Sequence, residues 1–227
     1  MFETSIISYL SKLQSCVIFS QTVKICGVGE SKAEMMVADL INEQTNPTLA
    51  TYAKTGEVHL RVTARAEDEK SARKLVKPVV KDLKGRFGNH VYTTEDDVTL
   101  EKAVVDLLLA NKLTISTVES CTGGLLAARL INVPGVSEVF KSGYITYSNK
   151  AKRKLLGVKK HMLSKHGAVS EEVAREMAKG ASIVSRADVV VSVTGIAGPD
   201  GGTEAKPVGL VYIGCYVCGR YTVRKCL

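Results

Sequence analysis

Residues 113–133 read LTISTVESCTGGLLAARLINV, and their reading decides the fold. An apolar, β-branched run reaches Glu119 and Ser120, Cys121 and Thr122 lead to Gly123 and Gly124, and a helical apolar pattern follows. Strand, tight turn and helix in succession are the building unit of an α/β sheet, where ligands gather at the carboxyl ends of strands. A hydroxyl residue at such a turn is most often only an N-cap. The same turn also brings a hydroxyl, a thiol and free helix N–H groups together, which suits a bound phosphate or an oxyanion.

The alternation extends on both sides of this stretch. LEKAVVDLLLANK precedes it as an amphipathic helix, and VFKSGYITYS follows as a strand. KAKRKLLG reads as a short basic helix, and SEEVAREMAKGASIVSRA as a longer one with Ser170 as N-cap and two glutamates in its first turn. DVVVSVTG has the near-continuous β-branched character of a strand covered on both faces. PVGLVYIGCYV and YTVRKCL flank Cys218-Gly219 as a hairpin. Residues 98–227 are therefore expected to form a three-layer α/β/α domain with a mixed sheet.

Residues 1–97 differ in pattern and are expected to form a small α+β, KH-like domain. Ser31 and Glu34 have capping-box spacing, EVHLRVTARA alternates as a half-buried strand, and VKICGVGES supplies another. EDEKSARKLVKPVVKDLKGRFG reads as a helix ending at glycine, with Pro78 expected to kink or divide it. Two strands and two helices in this order suggest a KH-type RNA binder. However, GVGE is not a G-x-x-G clamp, and the segment carries 13 Lys+Arg against 13 Asp+Glu. The acidic stretch YTTEDDVTLEK at residues 92–102 makes the junction.

Composition narrows the function. The chain has 227 residues, 45% hydrophobic and 5% aromatic with no Trp, as expected of a soluble α/β protein. No apolar run approaches the ~20 residues of a membrane span, and the start MFETSIISYLSK has an acid where a signal peptide has positive charge. The expected location is the cytoplasm. Six scattered cysteines do not make a disulfide framework. Cys215 and Cys218 have knuckle spacing but no second pair, so no metal is expected. The formal charge of +8 resides in residues 98–227, with 18 Lys+Arg against 10 Asp+Glu, which favours an anionic partner. That half lacks interleaved aromatics, so a small anionic molecule is expected rather than nucleic acid. A homo-oligomer is left open.

Three segments should fall at strand ends: Ser120–Gly124, Tyr147–Lys152 and Thr194–Gly202. No G-x-S-x-G is present, and the four histidines have no evident triad partners. Lysine is the alternative base: Lys152 lies among Lys150, Arg153 and Lys154, and desolvation plus cationic crowding would lower its pKa. Tyr147 is placed to relay a proton or orient the serine. A thiol at a helix N-terminus has a depressed pKa, so Cys121 competes with Ser120 as nucleophile, and spacing does not choose between them. The third segment, glycine-rich and containing Asp200, is neither a Walker A loop nor G-x-G-x-x-G, so it reads as a lid or binding loop and no ATP, NAD or other cofactor is expected.

Taken together, ESCTGG, GYITYSNKAK, HGAVSEEVAREMA and SVTGIAGPDGGTEAKPVG resemble the C-terminal domain of the CinA (competence/damage-inducible) family, in order and approximate spacing. GVGES, NPTLATYAKTGEVHLRVTA and DLKGRFGNHVYTTEDD resemble its small middle domain. The resemblance implies a nicotinamide-nucleotide amidase of pyridine nucleotide salvage, which hydrolyses nicotinamide mononucleotide to nicotinate mononucleotide and ammonia. It implies Ser120 as nucleophile, Lys152 as general base, Tyr147 as its helper and Thr194 as a further polar contact. Thr122, Gly195, Gly198 and Asp200 join the expected substrate-binding set, with donors near Gly123 and Gly124 as oxyanion hole or phosphate cradle. Against the family pattern the chain is expected to be truncated at both ends. The molybdopterin-binding-like domain is missing before it, and relatives continue past YTVRKCL into a Gly-Asp-Arg-like segment and a final helix. The alternative reading is a non-catalytic module that binds a phosphorylated nucleotide or serves competence.

Overall fold

A computed structural model describes residues 6, 9 and 16–227. The reading of the first twelve residues as unlike a signal peptide falls largely outside these. The chain divides into two compact units, residues 1–100 and 101–227.

The first unit contains β1 (Val17–Cys26), α1 (Glu30–Met36), α2 (Ala38–Asn42), β2 (Thr48–Lys54), β3 (Glu57–Ala66), α3 (Glu69–Phe87) and β4 (Val91–Thr93). Its antiparallel sheet has the order β2-β3-β1-β4. β3 alternates as expected: Val58, Leu60, Val62 and Ala64 face the core, where they meet Ala72, Val76, Val80, Leu83 and Phe87 of α3. Four strands are present where the sequence suggested two. β2 is hard to read because only Leu49 along it is buried, so the alternation that marks a half-covered strand is missing.

Two local expectations are corrected here. Pro78 does not divide α3, which runs through it as one element. Proline removes one hydrogen bond at a cost of about 3 kcal/mol in a free helix, and the buried apolar row along α3 outweighs it. The capping box is not made: α1 starts at Glu30 with Gly29 as N-cap and no side-chain cap bond. Ser31 therefore lies inside the helix, and Glu34 accepts a hydrogen bond from the Thr51 hydroxyl at 2.9 Å instead.

The second unit comprises α4 (Leu100–Ala110), β5 (Ile115–Glu119), α5 (Leu125–Ile131), β6 (Phe140–Ile145), α6 (Asn149–Leu156), α7 (Lys160–His166), α8 (Glu171–Ser185), β7 (Val189–Gly195), β8 (Val211–Val217) and β9 (Arg220–Cys226). The sheet order is β6-β5-β7-β8-β9, parallel among the first three strands and antiparallel beyond. Strand alternation divides the core in two. Ile115, Val189 and Val191 pack with Val105, Leu108 and Leu130 of α4 and α5, whereas Val118 and Val190 pack with Leu156, Leu163, Val173 and Met177 of α6–α8. This is the expected three-layer α/β/α arrangement around a mixed sheet. The β8–β9 turn is Cys218-Gly219, both at positive φ (44° and 94°), the form that matches strand twist in a two-residue hairpin.

On one face α8 lies unusually close to its neighbours. A Cβ on Gly180 would stand 1.9 Å from the Leu156 carbonyl oxygen, and one on Gly214 would stand 2.7 Å from that of Ala174. Glycine is required at both positions by close approach rather than by backbone angle. β6, β5 and β7 end side by side at Ile145, Glu119 and Gly195, and the three candidate segments follow those ends.

Candidate active site

Ser120 continues the ladder for one residue beyond β5, its N–H donating to Val193 O at 3.0 Å, and is 8% exposed. The chain then turns sharply: Gly123 N–H donates to Ser120 O at 3.3 Å, and Gly123 and Gly124 adopt φ of 60° and 107°. Only glycine enters that region without strain, which explains the pair after the serine.

Lys152 approaches from α6. Ser148 caps that helix through a hydrogen bond from Ala151 N–H at 3.0 Å, and Lys152 and Leu156, four residues apart, form its buried stripe. Lys150, Arg153 and Lys154 point to solvent, while Lys152 is fully buried. Its Nζ stands 3.0 Å from Ser120 Oγ and donates to the carbonyl oxygens of Thr146 (2.7 Å) and Tyr147 (3.2 Å). Burial lowers its pKa below the usual lysine value. The cause is thus desolvation, not the cationic crowding expected from the sequence, because the neighbouring cations face away.

These groups line a cleft of about 330 Å³ together with Cys121, Tyr147, Ala168, Val169, Thr194 and the loop Gly195–Gly201. Thr194 is fully buried and its hydroxyl donates to Ala168 O at 2.9 Å, leaving its oxygen able to accept. Gly198 has φ of 85°, and a Cβ there would meet Val208 at 2.6 Å. A Cβ on Gly195 would meet Leu210 O at 2.8 Å, so both glycines let the returning segment close over the loop. Lys206 fastens this loop by donating to His166 O and Val169 O, each at 2.7 Å. Asp200 is exposed at the cleft.

Three expectations are revised. The N–H groups expected to form an anion cradle at Gly123 and Gly124 are already engaged. Gly123 closes the turn, while Gly124 and Leu126 donate to Glu119 Oε2 (3.0 Å each) and Ala127 to Oε1 (2.8 Å). Glu119, 1% exposed, thus accepts the free N–H groups at the start of α5. Neither those two glycines nor Thr122, whose buried hydroxyl has no partner among the described residues, lines the cleft. Glu119 was legible only as an acid closing an otherwise apolar strand.

Tyr147 lines the cleft but is 75% exposed, and it meets Lys152 through its carbonyl oxygen rather than the phenol of the expected relay. Finally, burial raises the Cys121 thiol pKa, and this exceeds the lowering by the N–H groups of Cys121 and Thr122 and by Lys152. The lysine faces the hydroxyl, and the thiol beside it is held protonated. Those two N–H groups reach the Cys121 sulfur.

Among the described residues there is no cluster suited to a metal ion, and no helix long and apolar enough to cross a membrane.

Fold and site define a three-layer α/β/α protein with a buried serine–lysine pair at the carboxyl edge of a mixed sheet. The chain belongs to the CinA family: residues 97–227 match the CinA C-terminal domain and residues 20–93 the damage-inducible protein CinA KH domain. It is 53% identical over 227 residues to a competence-damage inducible protein of Clostridium beijerinckii, covering 100% of this chain and 55% of that protein. It is 51% identical over 225 residues to a CinA-like protein of Kosmotoga olearia, covering 99% and 54%. The chain thus spans about half the length of the curated relatives it matches. Among solved structures it resembles the competence/damage inducible protein of Agrobacterium tumefaciens, with 44% identity, TM-score 0.55, and 56% and 78% of the two chains covered. A CinA superfamily protein of Escherichia coli gives 36%, 0.55, 60% and 81%.

Proposed function

We propose that the second unit hydrolyses the carboxamide of nicotinamide mononucleotide, yielding nicotinate mononucleotide and ammonia, with Ser120 as nucleophile and Lys152 as base and acid. The observation that carries this reading is the fully buried Lys152 Nζ, 3.0 Å from Ser120 Oγ. A neutral amine has two N–H donors and one lone pair. With Lys152 neutral, the Thr146 and Tyr147 carbonyls would take its two donors and leave the lone pair to accept the Ser120 proton.

In the proposed sequence the Ser120 proton moves to Nζ as Oγ bonds to the amide carbon. Nζ–H then protonates the leaving nitrogen, the C–N bond breaks, and ammonia departs from an acyl-enzyme. Water, deprotonated by the same amine, cleaves the ester to the carboxylate and restores Ser120. The N–H groups of Cys121 and Thr122 would receive the oxyanion. Asp200, the one acid among the described residues lining the cleft, would face the cationic pyridinium ring; with Lys152 neutral, those residues supply no cation for the phosphate, which would therefore lie at the rim.

Ammonia release from nicotinamide mononucleotide tests the reading. Ser120→Ala is expected to lower kcat by at least ~10³-fold, and Cys121→Ala to leave most of the activity. Binding of the nucleotide without ammonia would overturn the reading in favour of a binding module, and loss of turnover in Cys121→Ala alone would reassign the nucleophile.

The pH profile supplies a second check. Only the neutral amine accepts the serine proton, so kcat/KM should rise as pH passes upward through the lowered pKa of Lys152 and level off below its ordinary 10.5. A profile still climbing up to pH 10.5 would contradict the depressed lysine.

A further inference from the structure

The first unit is electrically neutral as a whole, yet its charges are segregated. On α3 the lysines Lys70, Lys74, Lys77, Lys81 and Lys84 follow one another at intervals of four and three. At 3.6 residues per turn they fall within an arc of about 80° and form a straight row about 21 Å long. All five are exposed, on the side away from the buried row Ala72, Val76, Leu83 and Phe87.

Nearby carboxylates are spent elsewhere. Glu69 pairs with Arg73 at 2.7 Å, Asp82 with Arg86 at 2.9 Å, and Asp39 also with Arg86. Asp68 caps the helix through Ser71. Among the described residues none of the five lysines has a carboxylate within salt-bridge distance. The arginines take Glu69, Asp82 and Asp39, and the lysines are left without a salt bridge among the described residues, Lys74 having only a longer-range attraction to Asp68, so a domain with no net charge presents a row of five positive charges.

We propose that this lysine row is a docking surface for the phosphate backbone of double-stranded nucleic acid, read without regard to sequence. Charge complementarity identifies the class: a row of like point charges about 5 Å apart suits a ligand with regularly repeated negative charge, which a duplex carries along its whole length. The row itself contains no aromatic side chain, and the Phe19 ring beside it is covered by Arg73 at 4.2 Å, which disfavours a single strand. The apolar face of α3 is taken up by the core and Leu75 is the one large hydrophobic of the helix left exposed, too little to anchor it in a lipid surface. The net charge of residues 1–97 speaks against such a partner, but a sum over 97 residues hides how the charges are arranged.

The test is fluorescence anisotropy of the full 227-residue chain with a labelled DNA duplex of mixed sequence, about 20 base pairs long and so several times the row at 3.4 Å per pair. Five phosphate contacts give a slope of log K against log salt approaching about −4.5, or roughly a 500-fold loss of affinity between about 50 and 200 mM salt. The triple variant Lys74→Gln, Lys77→Gln, Lys81→Gln should reduce that slope to about −2, and the corresponding triple Lys→Arg variant should keep it. Glutamine and arginine are good helix formers, and circular dichroism confirms that both variants fold. The proposal is overturned if the wild-type chain binds no duplex at low salt. It is also overturned if the glutamine variant keeps wild-type affinity and slope, which would place binding on the basic second unit, or if vesicles containing phosphatidylserine are bound and duplex is not.

Discussion

Lys152→Met is expected to release ammonia from nicotinamide mononucleotide at least ~10³-fold more slowly than the wild-type chain while melting within a few degrees of it. Methionine keeps the unbranched stem that fills the space between α6 and β5 but carries no proton acceptor. In the proposed reaction one nitrogen acts at every stage, taking the serine proton, giving it to the leaving amine and activating water. Among the described residues Lys152 is the one titratable side chain hydrogen-bonded to Ser120 Oγ, and burial raises the pKa of the neighbouring Cys121 thiol.

Stability should respond differently. The variant leaves the Thr146 and Tyr147 carbonyls without their donor, which costs about 1–3 kcal/mol for the buried Thr146 oxygen and less for the part-buried one of Tyr147. Against this, it removes an amine that burial makes hard to charge. The sign can be measured. Between the lowered folded pKa of Lys152 and the unfolded 10.5, the unfolded chain binds more protons, so wild-type stability rises with pH through that window. Below the window both states are protonated and the desolvation penalty is fully present. The methionine variant should lack this rise. A variant that melts like the wild type yet retains turnover would remove Lys152 from the chemistry.

Much of this site could be read from sequence, because turn and strand chemistry is local. The β-branched run, the Gly-Gly pair and the capped basic helix placed Ser120 and Lys152 at neighbouring strand ends, and the structure brings them within 3.0 Å. What could not be read depends on which way a side chain points. Four basic residues lie within Lys150–Lys154, and only packing of the Leu156 face turns Lys152 inward and leaves the others in water. Free helix N–H groups are likewise a sound expectation until a carboxylate from the preceding strand reaches them, as Glu119 does. In the first unit the long helix and the alternating strand are legible because each has one buried face. β2, with Leu49 alone buried, leaves no periodic trace.

Gly180→Ala tests whether the position of Lys152 depends on helix packing at a distance from the cleft. In an exposed helix this change adds about 0.5–1 kcal/mol of stability, because alanine loses less backbone entropy. Gly85 on α3 is such a position, with open space around a built Cβ and no positive φ, and Gly85→Ala should raise the melting temperature. At Gly180 the same Cβ would lie 1.9 Å from Leu156 O, 2.8 Å from its carbonyl carbon and 2.9 Å from its Cβ. Two of these are backbone atoms, so no rotamer change relieves the clash, and α6 must move from α8 by more than an ångström. The expected loss is about 2–3 kcal/mol, overpacking at the upper end of its usual range. Leu156 lies one turn beyond Lys152, so the same movement draws Nζ away from Ser120 Oγ. A displacement of about 1 Å in a reacting pair can cost on the order of 10² in rate, and it should appear in kcat measured well below the variant's melting temperature. Destabilisation with unchanged kcat would mean that α6 holds Lys152 in place without α8. A melting temperature above wild type would show that the two helices do not approach as closely as the Gly180–Leu156 contact requires.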